Sequence, residues 1–174
     1  LGTDANIEVS KAAFRALGLL ARPDELPQLT RLAIAASDEA VKSLADRAIV
    51  TTAMKLLQPE RRADAVLTAF REQRDPATKA ALVRPLGAIV RSMGGSHEVF
   101  FALRKALSEN SPAVRQAALG AIADWPDATP TMLLLEMAND ARLPAGERET
   151  ALAGAIRMAA NVAAGREHSP LNVV

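Results

Sequence analysis

One pattern returns along this chain, as Val9-x-x-Ala12-Ala13, Val41-x-x-Leu44-Ala45, Thr78-x-x-Ala81-Leu82, Val114-x-x-Ala117-Ala118 and Arg148-x-x-Ala151-Leu152, at spacings of 32, 37, 36 and 34 residues. A period in that range marks stacked helix pairs, units too small to bury an apolar face alone and completed by their neighbours. Seven and eight residues after each first position come Ala16-Leu17, Ala48-Ile49, Pro85-Leu86, Ala121-Ile122 and Ala155-Ile156. A stripe of small residues beside Leu or Ile lets adjacent helices approach closely.

Composition agrees. The chain has 174 residues, 49% hydrophobic and 24% charged, with only 3% aromatic, so its apolar content is mainly Ala, Leu, Val and Ile. Close helix packing uses that mixture, whereas strands favour aromatic and β-branched residues. No segment alternates cleanly, and apolar residues recur at three- and four-residue spacing throughout. Capping residues followed by proline mark helix starts at Asp75-Pro76, Ser111-Pro112 and Thr129-Pro130. Further breaks fall at Arg22-Pro23, Gln58-Pro59, Gly94-Gly95, Trp125-Pro126 and Leu143-Pro144. Nine helices are predicted, over 7–21, 25–36, 38–57, 59–74, 76–93, 96–109, 112–124, 130–141 and 145–164, in a single domain spanning 1–174 with tails at 1–6 and 165–174.

The segments Asp38-Glu-Ala-Val41-Lys42, Asp75-Pro-Ala-Thr-Lys79 and Ser111-Pro-Ala-Val-Arg115-Gln-Ala-Ala-Leu-Gly-Ala-Ile122 resemble the second-helix consensus of HEAT repeats, especially bacterial HEAT-like arrays, over residues 7 to 164. Trp125-Pro-Asp-Ala-Thr129, followed by Met132-Leu-Leu-Leu135, is similar to HEAT segments inside large multidomain bacterial proteins. The resemblance implies an all-α, armadillo-like architecture: a right-handed α-α superhelix of about four and a half helix pairs. It implies a scaffold, and HEAT scaffolds bind very different partners. On that reading helix 7–21 is a second helix without its first, so the array starts in mid-repeat. The start at Leu1 rather than Met points the same way, to an expected fragment of a longer chain. Arg148 and Glu149 depart from the consensus, which predicts atypical outer packing in the last repeat.

The residues that could carry chemistry are sparse. There is no cysteine, and the formal net charge is +1, so bulk charge argues for neither nucleic acid nor an anionic membrane. The chain contains no phosphate loop, serine elbow, paired His on one helix face or calcium-loop carboxylates, so no catalytic residue, metal or cofactor is predicted. Compartment stays open. No apolar run is long enough to span a bilayer. Gly94-Gly95 reads as a turn. His97 and His168 read as solvated, the first near a helix start and the second in the polar tail. HEAT-scaffold metalloenzymes use His-Glu pairs that are absent from this sequence. Asp124 beside Trp125 is the one acid next to a large aromatic, the pairing a base-binding pocket on a HEAT-like glycosylase would use. Trp125 also falls on the core face, at the place of Leu20, Thr52 and Ile89 in earlier repeats, and Phe100 and Phe101 read as core.

Alignment of the repeats isolates a different set. Six residues after the first position stand Arg15, Arg47, Arg84, Gly120 and Gly154; thirteen after it, Arg22, Met54, Arg91, Asp127 and Asn161. On a helical wheel these positions lie about 20° apart, away from the core face. In HEAT solenoids that face lines the concave surface, so the resemblance places Lys11, Arg15, Arg22, Arg47, Arg84 and Arg91 in one basic ladder. Residues 1–95 hold 14 Lys and Arg against 11 Asp and Glu, whereas 96–174 hold 7 against 9. Such a ladder suits a polyanion or an acidic peptide. It is also what a solvated face neutralised by Asp46, Asp64 or Glu72 would look like. The leading expectation is a non-enzymatic scaffold that binds a protein or peptide, or other domains of its own chain. The alternative is nucleic-acid binding through the ladder, and a third is an enzyme centred on Asp124.

Overall fold

The computed structural model describes residues 6–164, and within them the chain is all-helical, without strands. Nine α-helices follow in order: α1 (Ile7–Leu20), α2 (Leu26–Ile34), α3 (Glu39–Met54), α4 (Asp64–Glu72), α5 (Pro76–Met93), α6 (His97–Ala106), α7 (Pro112–Ala123), α8 (Thr131–Asn139) and α9 (Ala145–Ala163). Short 3-10 turns at Pro23–Glu25 and Pro59–Arg61 precede α2 and α4. These turns take up the first residues of two predicted helices, because a proline there starts a tight turn that the following backbone continues as α-helix only later.

The recurring unit begins with its own cap. Asn6, Asp38, Asp75 and Ser111 accept the amide protons of Val9, Val41, Thr78 and Val114 at 3.4, 3.0, 2.8 and 3.5 Å. In these four repeats the first position is therefore the third residue of its helix, held by a side chain three residues earlier, whereas α9 follows Pro144 without a side-chain cap. Thr129-Pro130 behaves otherwise. Thr129 donates its amide to Asp127 Oδ1 at 2.7 Å, and α8 starts one residue beyond the proline, where the Thr131 hydroxyl donates to the Ala128 carbonyl at 2.7 Å.

The chain forms two compact units, Leu1–Ile89 and Val90–Val174. In the first, α1 packs beside α3, and α2 packs on α3 and α4. Phe14, Leu26, Ile49, Leu67, Leu86 and Ile89 are fully buried there. In the second, α6 packs on α7, α8 on α9, and α7 beside α9, around Val99, Leu103, Val114, Ile122 and Leu134. Each unit thus repeats one local arrangement, a shorter helix lying on a longer one and longer helices side by side.

The stripe is buried where a helix has neighbours on both flanks. Val41, Ala45, Ala48 and Ile49 are buried, as are Val114, Ala118 and Ile122. The first and last helices leave part of the stripe open. α1 buries Ser10, Phe14 and Gly18, while α9 buries Ala151, Gly154, Ala155 and Met158. They leave Val9, Leu152 and Ile156 at 38, 46 and 61% exposure. Two expectations fail for related reasons. Leu20 is 78% exposed, because α1 ends there with no helix across that edge, and Phe101 is 59% exposed, because Phe100 takes the inward position on α6. Trp125 is buried as expected, just past the end of α7, with its ring edge-on to Phe100 at 5.5 Å between centroids.

Candidate binding face

The six cations of the sequence ladder occupy three kinds of place. Lys11, Arg15, Arg47 and Arg84 lie on α1, α3 and α5 of the first unit, and Arg91 lies on α5 within the second. Arg22 is not on a helix. α1 stops at Leu20, the backbone turns extended at Ala21 and Arg22, and the wheel that aligned Arg22 with Arg15 does not reach it. Arg22 instead closes the 3-10 turn, with its guanidinium 3.1 Å from Asp24 and its amide donating to Glu25 at 2.8 Å.

Most of these charges already have counterions. Lys11 bonds Glu8 at 2.8 Å and holds that carboxyl below its ordinary range. Arg84 bridges α5 to α3, donating to Glu39 at 2.6 Å and reaching Asp46 at 2.9 Å. Arg91 sits 3.9 Å from Asp124, which Arg157 of α9 approaches to 2.8 Å. Arg15 and Arg47 are exposed, and neither forms an ion pair among the described residues. The neutralising partners include Asp46, as the solvated-face reading anticipates, whereas Asp64 pairs with Arg61.

The position six residues into each repeat does not point uniformly outward. At Arg84 it faces α3, and at Gly154 it is buried, with the Cβ position only 2.8 Å from Ala123 Cβ. At those two repeats it lies on a seam between neighbouring long helices. Sequence reasoning missed this because the wheel assigns a direction to each residue without saying which helix lies across from it.

Beside Arg84 opens a cleft of about 140 Å³ between α2, α3 and α5. Ile34, Ile49, Ala81 and Leu82 form its apolar lining, with Lys42, Asp46, Thr78 and Arg84 contributing the polar part. Asp46 is the most perturbed carboxyl described. Burial pushes it up to about 6, against the opposing pull of Arg84. Glu39, fully exposed, is held low by its hydrogen bond from Arg84. A half-buried carboxyl, a bridging guanidinium and an apolar floor form a recognition surface without a nucleophile or paired general acids.

The other chemical candidates are separated by the fold. Asp124 is exposed and taken up by arginines, while Trp125 is 4% exposed and lines a cavity to which Asp124 does not contribute. Gly94 and Gly95 form the α5–α6 turn with φ of 85° and 113°, values that favour glycine. His97 is exposed at the first position of α6, and His168 lies outside the described residues. Among the described residues no cluster of three His, Cys, Asp or Glu could hold a metal, and no helix is long and apolar enough to cross a membrane.

The fold thus defines an all-helical protein. Comparison with protein-family models, curated proteins and solved structures finds no match.

Proposed function

We propose that this chain is a HEAT-like α-solenoid scaffold, a right-handed superhelix of about four and a half helix pairs, that binds a protein or peptide rather than performing catalysis. The repeat period, the cap recurring at the start of the first four repeats and the pairing of shorter with longer helices inside each unit support the architecture. One observation carries the binding reading: four of the six ladder cations are engaged by carboxylates, and the Arg84 network borders an apolar cleft. Mixed, internally compensated charge around an apolar floor suits a protein surface, whose own charges can exchange into the network. A polyanion would have to displace those carboxylates.

A photo-crosslinking residue at Ala81, in the cleft, tests this against one at exposed Thr51. We expect a discrete protein adduct from position 81, lost on Arg84→Ala, and none from position 51. Equal labelling from both positions, or none, overturns the reading. Arg15 and Arg47 keep nucleic acid as the second reading. Single-stranded oligonucleotide binding that falls steeply with salt and disappears on reversing both charges would establish that instead.

A further inference from the structure

A second cavity, of about 120 Å³, lies in the Val90–Val174 unit and shares no residue with the cleft beside Arg84. It is walled by Gly95, Ser96 and His97 on one side and by Phe100, Trp125 and Asp127 on the other. Two of its polar atoms are unused. Trp125 is 4% exposed as a residue, and no described residue accepts from its indole N–H, an atom that is not sealed from solvent. Asp127 spends Oδ1 on the Thr129 amide, while Oδ2 accepts nothing from the described residues. Both border one point: a Cβ on Gly95 would lie 3.8 Å from Trp125 Nε1 and 2.8 Å from Asp127 Oδ2. Glycine at 95, at a φ of 113°, keeps that space open.

The cavity therefore presents a donor and an acceptor side by side against an aromatic wall. Both atoms are open to water rather than orphaned in the core, so a ligand must replace that water, and one that pairs with both atoms gains more than one that pairs with either. No Lys or Arg lines the cavity, which disfavours a carboxylate or phosphate beside Asp127. An ammonium could satisfy Asp127 and would leave the indole N–H unpaired. A carboxamide carries the complementary pair, its oxygen accepting from Trp125 and its NH₂ donating to Asp127. We propose that this cavity binds a primary carboxamide of the Asn or Gln side-chain class, with Trp125 and Asp127 as its recognition residues. The site is independent of the scaffold reading and stands or falls by itself.

Trp125 is the sole tryptophan, so its indole N–H gives a single assignable proton–nitrogen resonance. Titration of the full chain with propionamide, propionate and propylammonium reads the site directly. Propionamide should shift that resonance saturably at millimolar concentration, and the two ions should not. L-glutamine and N-acetyl-glutamine methylamide then distinguish a free amino acid from a residue in a chain, and a saturable shift with either supports the site. Asp127→Asn keeps an oxygen for Thr129 and turns a second donor toward the ligand. It should weaken propionamide by roughly tenfold or more, as expected for one lost hydrogen bond in a partly buried site. Arg104→Ala, exposed on α6 and outside the cavity lining, should leave binding unchanged. No saturable shift with propionamide, an equal or stronger response to propylammonium, or undiminished binding by a folded Asp127→Asn variant overturns the proposal.

Discussion

Two glycines at the same repeat position separate packing from propensity. At Gly154 an added Cβ would meet Ala123 Cβ at 2.8 Å, Ala123 Cα at 2.9 Å and Leu134 Cδ1 at 3.1 Å, two of them atoms that cannot swing aside. Gly154→Ala should therefore destabilise by about 1–3 kcal/mol in urea unfolding, the usual penalty for overpacking. Gly120 has nothing within 4 Å of its Cβ position, so Gly120→Ala should stabilise by about 0.5–1 kcal/mol through helix propensity alone. Asp46 supplies a pH signature of definite sign. Its folded value, about 6, lies above the ordinary 3.8, so its contribution is fully present below that ordinary value and is lost as pH rises through 6. Glu8, Glu39, Asp75 and Asp140 are held low, and their contributions are lost as pH falls through the acid range. Between about pH 3 and neutral pH, wild type should lose on the order of 2–3 kcal/mol relative to Asp46→Asn, which carries no such titration. Parallel stability–pH curves for the two proteins would contradict this.

At the scale of helices, Lys55 ties the end of α3 to the end of α1. Its ammonium donates to the carbonyls of Gly18, Leu19 and Ala21 at 3.3, 2.8 and 2.8 Å, satisfying acceptors that a helix terminus leaves open and opposing the negative end of its dipole. Lys55→Met should cost about 1–3 kcal/mol and speed amide exchange in the last turn of α1 more than in α4. The elements themselves were legible in sequence, since prolines and caps such as Asp38, Asp75 and Ser111 act locally. Burial was legible wherever a helix has neighbours on both flanks, which is why Ile49 and Ile122 follow the pattern and Leu20 does not. The site was legible only in part. The spacing found Arg84, but Glu39 lies 45 residues away, a pairing that no wheel reveals. The unused pair at Trp125 and Asp127 depends on the Gly94-Gly95 turn folding back over a segment about thirty residues later, and in the sequence Trp125 and the glycine pair stood out separately with nothing to join them.

Across the whole molecule, stability should be graded. α3 and α7 bury the larger residues of the stripe, whereas α1 leaves Val9 and α9 leaves Leu152 and Ile156 exposed. Native-state hydrogen exchange should find α3 and α7 the most protected and α1 and α9 opening at lower free energy; uniform protection would mean that the edges are held by something besides packing. The apolar stripes that give this protection are nearly interchangeable, since Ala beside Leu or Ile recurs in almost every copy. They cannot tell one neighbour from another. The polar closures can, because each seam has its own: Lys55 on the carbonyls ending α1, Arg84 on Glu39 and Asp46, Arg157 on Asp124, and Arg115 reaching Glu147 at 3.9 Å. Each closure therefore works as an address, rejecting a helix of the right shape from the wrong place in the chain and so guarding against mispairing that near-identical surfaces would otherwise allow.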